Sequence, residues 1–186
     1  MLTKKIYDYT VSCGAPRVGR YVTKEKAMEK RLNKTEEERN KKTYTIEQVS
    51  DFTLEFLEMA GFKNPTSIII ENITDFLTPR KRCKAYDCLK KQFELNNQKH
   101  LVWMKFTKDG YLGVVAASDD INFDINNTSG EIIKKLNQEW DESRVLVFPL
   151  PNIGDKERSD IECGIGNYLT DEKGVPILDY YSHRYN

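Results

Sequence analysis

The side chains best able to do chemistry in this chain are carboxylates, arginines and lysines. Toward the C-terminus runs Asp160-Ile161-Glu162-Cys163-Gly164-Ile165-Gly166-Asn167-Tyr168-Leu169, followed by Lys173-Gly174-Val175-Pro176-Ile177-Leu178. An acid such as Glu162 can act as a nucleophile or a general acid when a pocket and a proton donor lie within reach. A second set is basic. Arg17 and Arg20, and then Arg80, Lys81, Arg82 and Lys84, have the spacing to follow a phosphate backbone. Thr78-Pro79 predicts a helix start just before the second group, where positive charge opposes the macrodipole unless an anion is bound.

A third set is acidic: Asp119, Asp120, Asp124, Glu139, Asp141, Glu142, Asp155, Glu157, Asp160 and Glu162. A magnesium nuclease needs two or three acids converging with a lysine, and no Glu-x-Lys follows a strand-end Asp here. Carboxylates along a surface can instead imitate a row of phosphates and occupy a nucleic-acid-binding protein. Cys13, Cys83, Cys88 and Cys163 form no Cys-x-x-Cys pair, and His100 and His183 are the only histidines. No metal site and no cofactor is therefore expected. A Cys163–His183 pair is the one arrangement open to thiol catalysis, and only if the tail folds back as a hairpin.

Charge is segregated although the formal net charge is +0. Residues 1–42 carry a net of +6, residues 43–78 a net of −5, residues 79–108 a net of +7, and residues 109–186 a net of −8. Such a chain can offer a basic face to nucleic acid and an acidic face to a basic partner, or two solvated faces that complement each other. With 186 residues and 39% hydrophobic content, one domain with a substantial core is expected. The opening Met1-Leu2-Thr3-Lys4-Lys5 does not lead into an apolar run, and no stretch approaches a membrane span. A cytoplasmic protein with free thiols is the expectation.

The elements that must position these groups follow from pattern. His100–Thr107 and Tyr111–Ala117 are β-rich runs joined across Asp109-Gly110, which predicts a hairpin. Leu101, Trp103 and Lys105 share one face; Val102, Met104 and Phe106 share the other, so both sides of the hairpin should be covered. Thr45-Ile46-Glu47-Gln48 is a capping box, and Ile46, Val49, Phe52, Phe56 and Met59 recur at helical spacing until Gly61. Glu47, Asp51, Glu55 and Glu58 form the opposite, acidic side of that helix. Phe62–Leu77 suits a helix through Ile69, Ile73, Phe76 and Leu77, or a strand through Ser67–Ile70; the helix is preferred. A helix is also read from Thr78 to about Leu95. Thr128-Ser129-Gly130-Glu131 is a second capping box, opening a helix with Ile132, Ile133, Leu136 and Trp140 inward. Arg144–Phe148 reads as a buried strand, Lys4–Ser12 as another strand, and Lys24–Asn33 as a helix capped by Thr23.

The expected class is α+β: a helical N-terminal half with a basic arm, and a mixed sheet in the C-terminal half built from the hairpin, 144–148 and 175–181. Residues 1–43 form the arm, 44–97 the helical region and 98–186 the sheet region, the last two in one compact domain.

The buried strand, acid, Gly-spaced segment and Gly-x-Pro strand of the tail resemble the closing β-α-β of nucleoside 2-deoxyribosyltransferase-like proteins. Lys5-Ile6-Tyr7 extends the resemblance to the N-terminus. It implies a sugar-attacking Glu162 with Asp160 or Tyr7 beside it. The other reading of the tail is a hairpin across Asp171-Glu172-Lys173-Gly174, with Glu162 a surface acid. The preferred function is non-catalytic: a small binding or inhibitor protein engaging nucleic acid or a nucleoprotein machine through its charged faces. In type, the Lys- and Asn-rich composition and segregated charge resemble the small accessory proteins of phages and mobile elements, including inhibitors of nucleic-acid-guided defence (anti-CRISPR proteins). The alternative is a nucleoside- or nucleotide-processing enzyme using Glu162.

Overall fold

The hairpin forms where Asp109-Gly110 places it. In the computed structural model, which describes residues 43–71, 91, 92, 94, 99–118 and 128–179, strand β2 (Leu101–Phe106) pairs antiparallel with β3 (Leu112–Ser118). Gly110 turns the chain at φ +84°, a backbone region L residues with a Cβ rarely occupy. A bulge between Lys105 and Phe106 absorbs the register shift into the turn.

Two further strands complete an antiparallel sheet. β1 (Ile68–Glu71) pairs with β4 (Arg144–Pro149), and β4 pairs with β2, giving the order β1-β4-β2-β3. The described residues are therefore α+β, and the four strands among them are all antiparallel rather than mixed. Ile68–Glu71 corrects the helical preference for that segment: three consecutive isoleucines pair better on a pleated surface than on a helix. The segment at 175–181, expected as a strand, contributes one isolated parallel bridge, Leu112 to Ile177. Leu178 and Asp179 then donate their amides to the carbonyls of Leu112 and Gly113, at 2.9 Å each. They satisfy one end of the β3 edge without building a strand.

Helix α1 (Ile46–Met59) has the predicted capping box, with Gln48 N donating to Thr45 Oγ1 at 3.2 Å and Thr45 N to Gln48 Oε1 at 3.0 Å. Helix α2 (Thr128–Lys135) buries Ile132 and Ile133, with Leu136 of the following turn, against Leu178. Helix α3 (Asp155–Asn167) runs into a single wider π turn, Tyr168–Glu172. The tail is thus neither a hairpin nor part of a parallel doubly wound sheet.

The β2 residues divide as predicted. Val102, Met104 and Phe106 join Val49, Phe56, Leu57, Ile161 and Ile165 in the main core between sheet and helices. Leu101 and Trp103 join Ile70, Val114, Val145 and Val147 on the opposite face, which is also buried. Two glycines permit close approach. A Cβ at Gly164 would sit 2.5 Å from Phe56 Cζ, and one at Gly113 only 2.1 Å from the Trp140 ring. Gly164, part of the Gly-spaced segment that carries the resemblance, is a helix-packing glycine. Cys163, expected to be a free thiol, is disulfide-bonded; the other three cysteines lie outside the described residues. The basic arm at 1–42, nearly all of the helix expected at 78–95 and the tail beyond 179 also lie outside them.

Candidate functional site

Three groups of charged side chains are built into this scaffold. The first lies along α3, where Asp155, Arg158 and Glu162 fall at i, i+3 and i+7 and so share one face. Arg158 Nη1 sits 3.1 Å from Nδ1 of the buried His100 and 3.6 Å from Asp155 Oδ1. A guanidinium can only donate, so Nδ1 is the accepting atom of this contact. Beside His100 opens a cleft of about 320 Å³ lined by Lys99, His100, Leu150, Pro151, Asn152, Ile153, Gly154 and Asp155. The amide of the N-cap residue of α3 is served within the chain, since Gly154 N donates to Glu157 Oε2 at 3.0 Å.

Glu162 lies about 10 Å further along the helix. It is half-buried in the seam between α3 and β3, where its carboxylate accepts the backbone N–H of Ala117. Burial pushes its pKa up to about 7, against the opposing pull of the Ala117 amide and the Arg158 charge. The expected surface acid of ordinary acidity is therefore corrected. Glu162 is an acid in a packed seam, and it caps the end of the β3 edge opposite Leu178 and Asp179. Asp160, offered as its neighbour, stands two residues away on the same helix and so faces elsewhere. Tyr7, Arg17, Arg20, Arg80, Lys81, Arg82 and Lys84 lie outside the described residues.

The second group sits on the other face of the sheet. Lys105 is buried, with its ammonium 2.6 Å from Glu142 Oε2 and 5.7 Å from the centre of the Trp140 ring. This pair neutralises a cation that the strand pattern forces onto an apolar face. Pattern alone predicted the face and gave no sign of the partner.

The third group is on α1. Glu47, Asp51, Glu55 and Glu58 are all exposed, along the side opposite Val49, Phe56 and Leu57. With a rise of 1.5 Å per residue, they form a carboxylate row spaced about 4.5–6 Å apart. The pKa of the Glu47 carboxyl is held below its ordinary value by its own backbone amide, the Thr45 hydroxyl and the charge of Arg144. That of Glu55 is held lower by Lys173 and then by the Tyr168 hydroxyl. Lys173 Nζ lies 2.6 Å from Glu55 Oε2, 5.0 Å from the Phe52 ring centre and 5.2 Å from that of Tyr168. The sequence showed the acidic side of the helix; it gave no signal for Lys173, which is separated from Glu55 by more than a hundred residues.

Among the described residues, no group of three His, Cys, Asp or Glu is placed to hold a metal ion, and no helix is long and apolar enough to cross a membrane. Comparison of the chain with protein-family models, with curated proteins and with solved structures finds no match.

Proposed function

We propose that this chain is a non-catalytic binding protein that engages a nucleic-acid or nucleoprotein machine through segregated charged faces. Small proteins of phages and mobile elements that block nucleic-acid-guided defence would use such faces. The observation carrying this reading is the exposed row of Glu47, Asp51, Glu55 and Glu58 on one rigid helix. A regular line of carboxylates on a preorganised element offers a basic groove what a phosphate backbone offers it. The complementary basic face is proposed from Arg17, Arg20, Arg80, Lys81, Arg82 and Lys84.

The test is association with a polylysine peptide, followed across salt concentrations. Changing Glu47, Asp51 and Glu58 together to Gln, Asn and Gln should weaken it about tenfold and flatten its salt dependence, with the fold retained. Unchanged binding would remove the acidic row from the account. Alanine at Arg80, Lys81, Arg82 and Lys84 should do the same to oligonucleotide binding.

A second reading is favoured by one observation, the half-buried Glu162 with its pKa raised to about 7 near Arg158, on the helix whose start borders the His100 cleft. In that reading the chain processes nucleosides or nucleotides with Glu162 as its acid. Release of base from nucleosides, lost in Glu162→Gln, would establish it in place of the first.

A further inference from the structure

The contact made by Lys173 is more elaborate than an ordinary surface ion pair. Its ammonium is enclosed on two sides by ring faces, those of Phe52 and Tyr168, and on a third by the Glu55 carboxylate. The Tyr168 hydroxyl shares that carboxylate, hydrogen-bonding to Glu55 as well as to Lys173. Tyr44 meets Phe52 edge-on at 6.0 Å and donates its hydroxyl to the Lys173 carbonyl at 3.0 Å. Aromatic faces around a carboxylate are the chemistry that recognises ammonium and guanidinium groups.

The walls of this box are anchored in the core, and its occupant reaches it from a turn. Tyr168 is buried and packs 5.6 Å from the buried ring of Phe56, and Phe52 stands on α1 one turn from the core. The occupant arrives from the turn after the π segment, where Gly174 at φ +67° reverses the chain. The Lys173 side chain keeps 23% of its surface exposed, and Glu55 keeps 50%. Water therefore reaches the box.

From this geometry we infer that Glu55, Phe52 and Tyr168 form a recognition site for a lysine or arginine side chain of a basic protein partner, and that Lys173 occupies it in the unbound chain as an internal competitor. The partner's side chain enters beside Asp51 and Glu58, on the same helix. The inference rests on the acidic row being the docking face, and it names the anchor within that row. A tethered occupant acts at an effective concentration on the order of millimolar, so the site answers weakly to lone cations and well to a peptide that also engages the row. Exchange of one ammonium for another leaves the charge of the box unchanged.

The experiment titrates the full chain with a peptide of alternating lysine and glycine, and separately with tetramethylammonium, which has no use for the row. Lys173→Ala should bind both about tenfold more tightly than the parent chain, because the competing occupant is gone. Glu55→Gln placed in that background should cancel the gain. Lys173→Gln, which keeps the stem and drops the charge, should show the same gain if the alanine variant folds poorly. Equal or weaker binding by either folded variant would overturn the inference. Unfolding of both variants would overturn it too, since Lys173 would then be a strut. Failure of the acidic row alone reads differently: the Glu47, Asp51 and Glu58 changes would leave peptide binding untouched while the tetramethylammonium gain persisted.

Discussion

Glu162 and Glu55 are the same side chain on two packed helices, and their surroundings drive them in opposite directions. Glu162 is set into the α3–β3 seam, and loss of water outweighs the Ala117 amide and the Arg158 charge, so its neutral form is favoured. Glu55 stands at the rim of α1, where Lys173 and the Tyr168 hydroxyl favour the charged form. The first acts as a clasp on a sheet edge, the second as a pole for a cation. Burial decides one and neighbours decide the other, and each can be broken separately.

The largest effect should come from the contact that holds both environments in place. Phe56 is fully buried, fits against Gly164 of α3, and packs on Tyr168, which reaches Glu55. Phe56→Ala should cost about 3–5 kcal/mol in denaturant unfolding. Gly164→Ala should cost about 1–3 kcal/mol, because its Cβ meets the ring where a close-packed core has little room to yield. Combining Gly164→Ala with Phe56→Leu should recover part of that loss. Strict additivity of the two would mean that they do not share a contact and that the helices are held elsewhere.

How much of this was legible in the sequence follows from the range over which each signal acts. Turn chemistry and periodicity are local, so the hairpin at Asp109-Gly110, the Thr45 capping box and the split of Leu101–Phe106 between two buried faces could be read directly. Ile68–Glu71 could not, because four residues contain too little periodicity to separate a strand from a helix, and only pairing with β4 settles it. The tail was misread for a similar reason. Gly164 and Gly166 belong to the Gly-spaced segment that resembles a β-α-β closure, whereas Gly164 serves a helix crossing that only the position of Phe56 makes visible. Glu162 was singled out from its neighbours in sequence, yet its acidity is set by Ala117 and by burial against β3. Asp155, Arg158 and Glu162 would have stood out as one face had the helix been recognised. Lys173 carried no local signal of its role.

The next effect in size separates the two glutamates by pH. The folded pKa of Glu162 is raised from an ordinary 4.5 to about 7, so between those values the folded chain binds more protons than the unfolded one. Its contribution is therefore most favourable below about pH 4.5, declines as pH rises, and settles into a constant penalty above about pH 7. Allowing for partial exposure, that penalty is roughly 2 kcal/mol. Glu162→Gln keeps an acceptor for the Ala117 amide and removes the charge. It should raise the melting temperature at pH 8 by about 4–8 °C and change it little at pH 4.5. A variant less stable than the parent at pH 8 would show that the Arg158 attraction outweighs burial, and the seam would then resemble the rim.

The smallest effect is expected at the rim, and its sign is opposite. Glu55 has its acidity increased by Lys173 and Tyr168, so its contribution is present above its unfolded pKa and is lost as pH falls through the lower folded value. That window lies below the one in which Glu162 titrates. Both Glu55 and Lys173 meet water, and exposed pairs contribute about 0.2–1 kcal/mol. Glu55→Gln should thus lower stability by no more than that at neutral pH and low salt. The difference should shrink as added salt screens the pair, and it should vanish in acid. The two ring faces still hold the Lys173 ammonium when the carboxylate is gone, which is a further reason for a small loss. A loss of several kcal/mol, insensitive to salt, would mean that Glu55 is as much a structural clasp as Glu162. The contrast between seam and rim would then reduce to a single kind of buried contact.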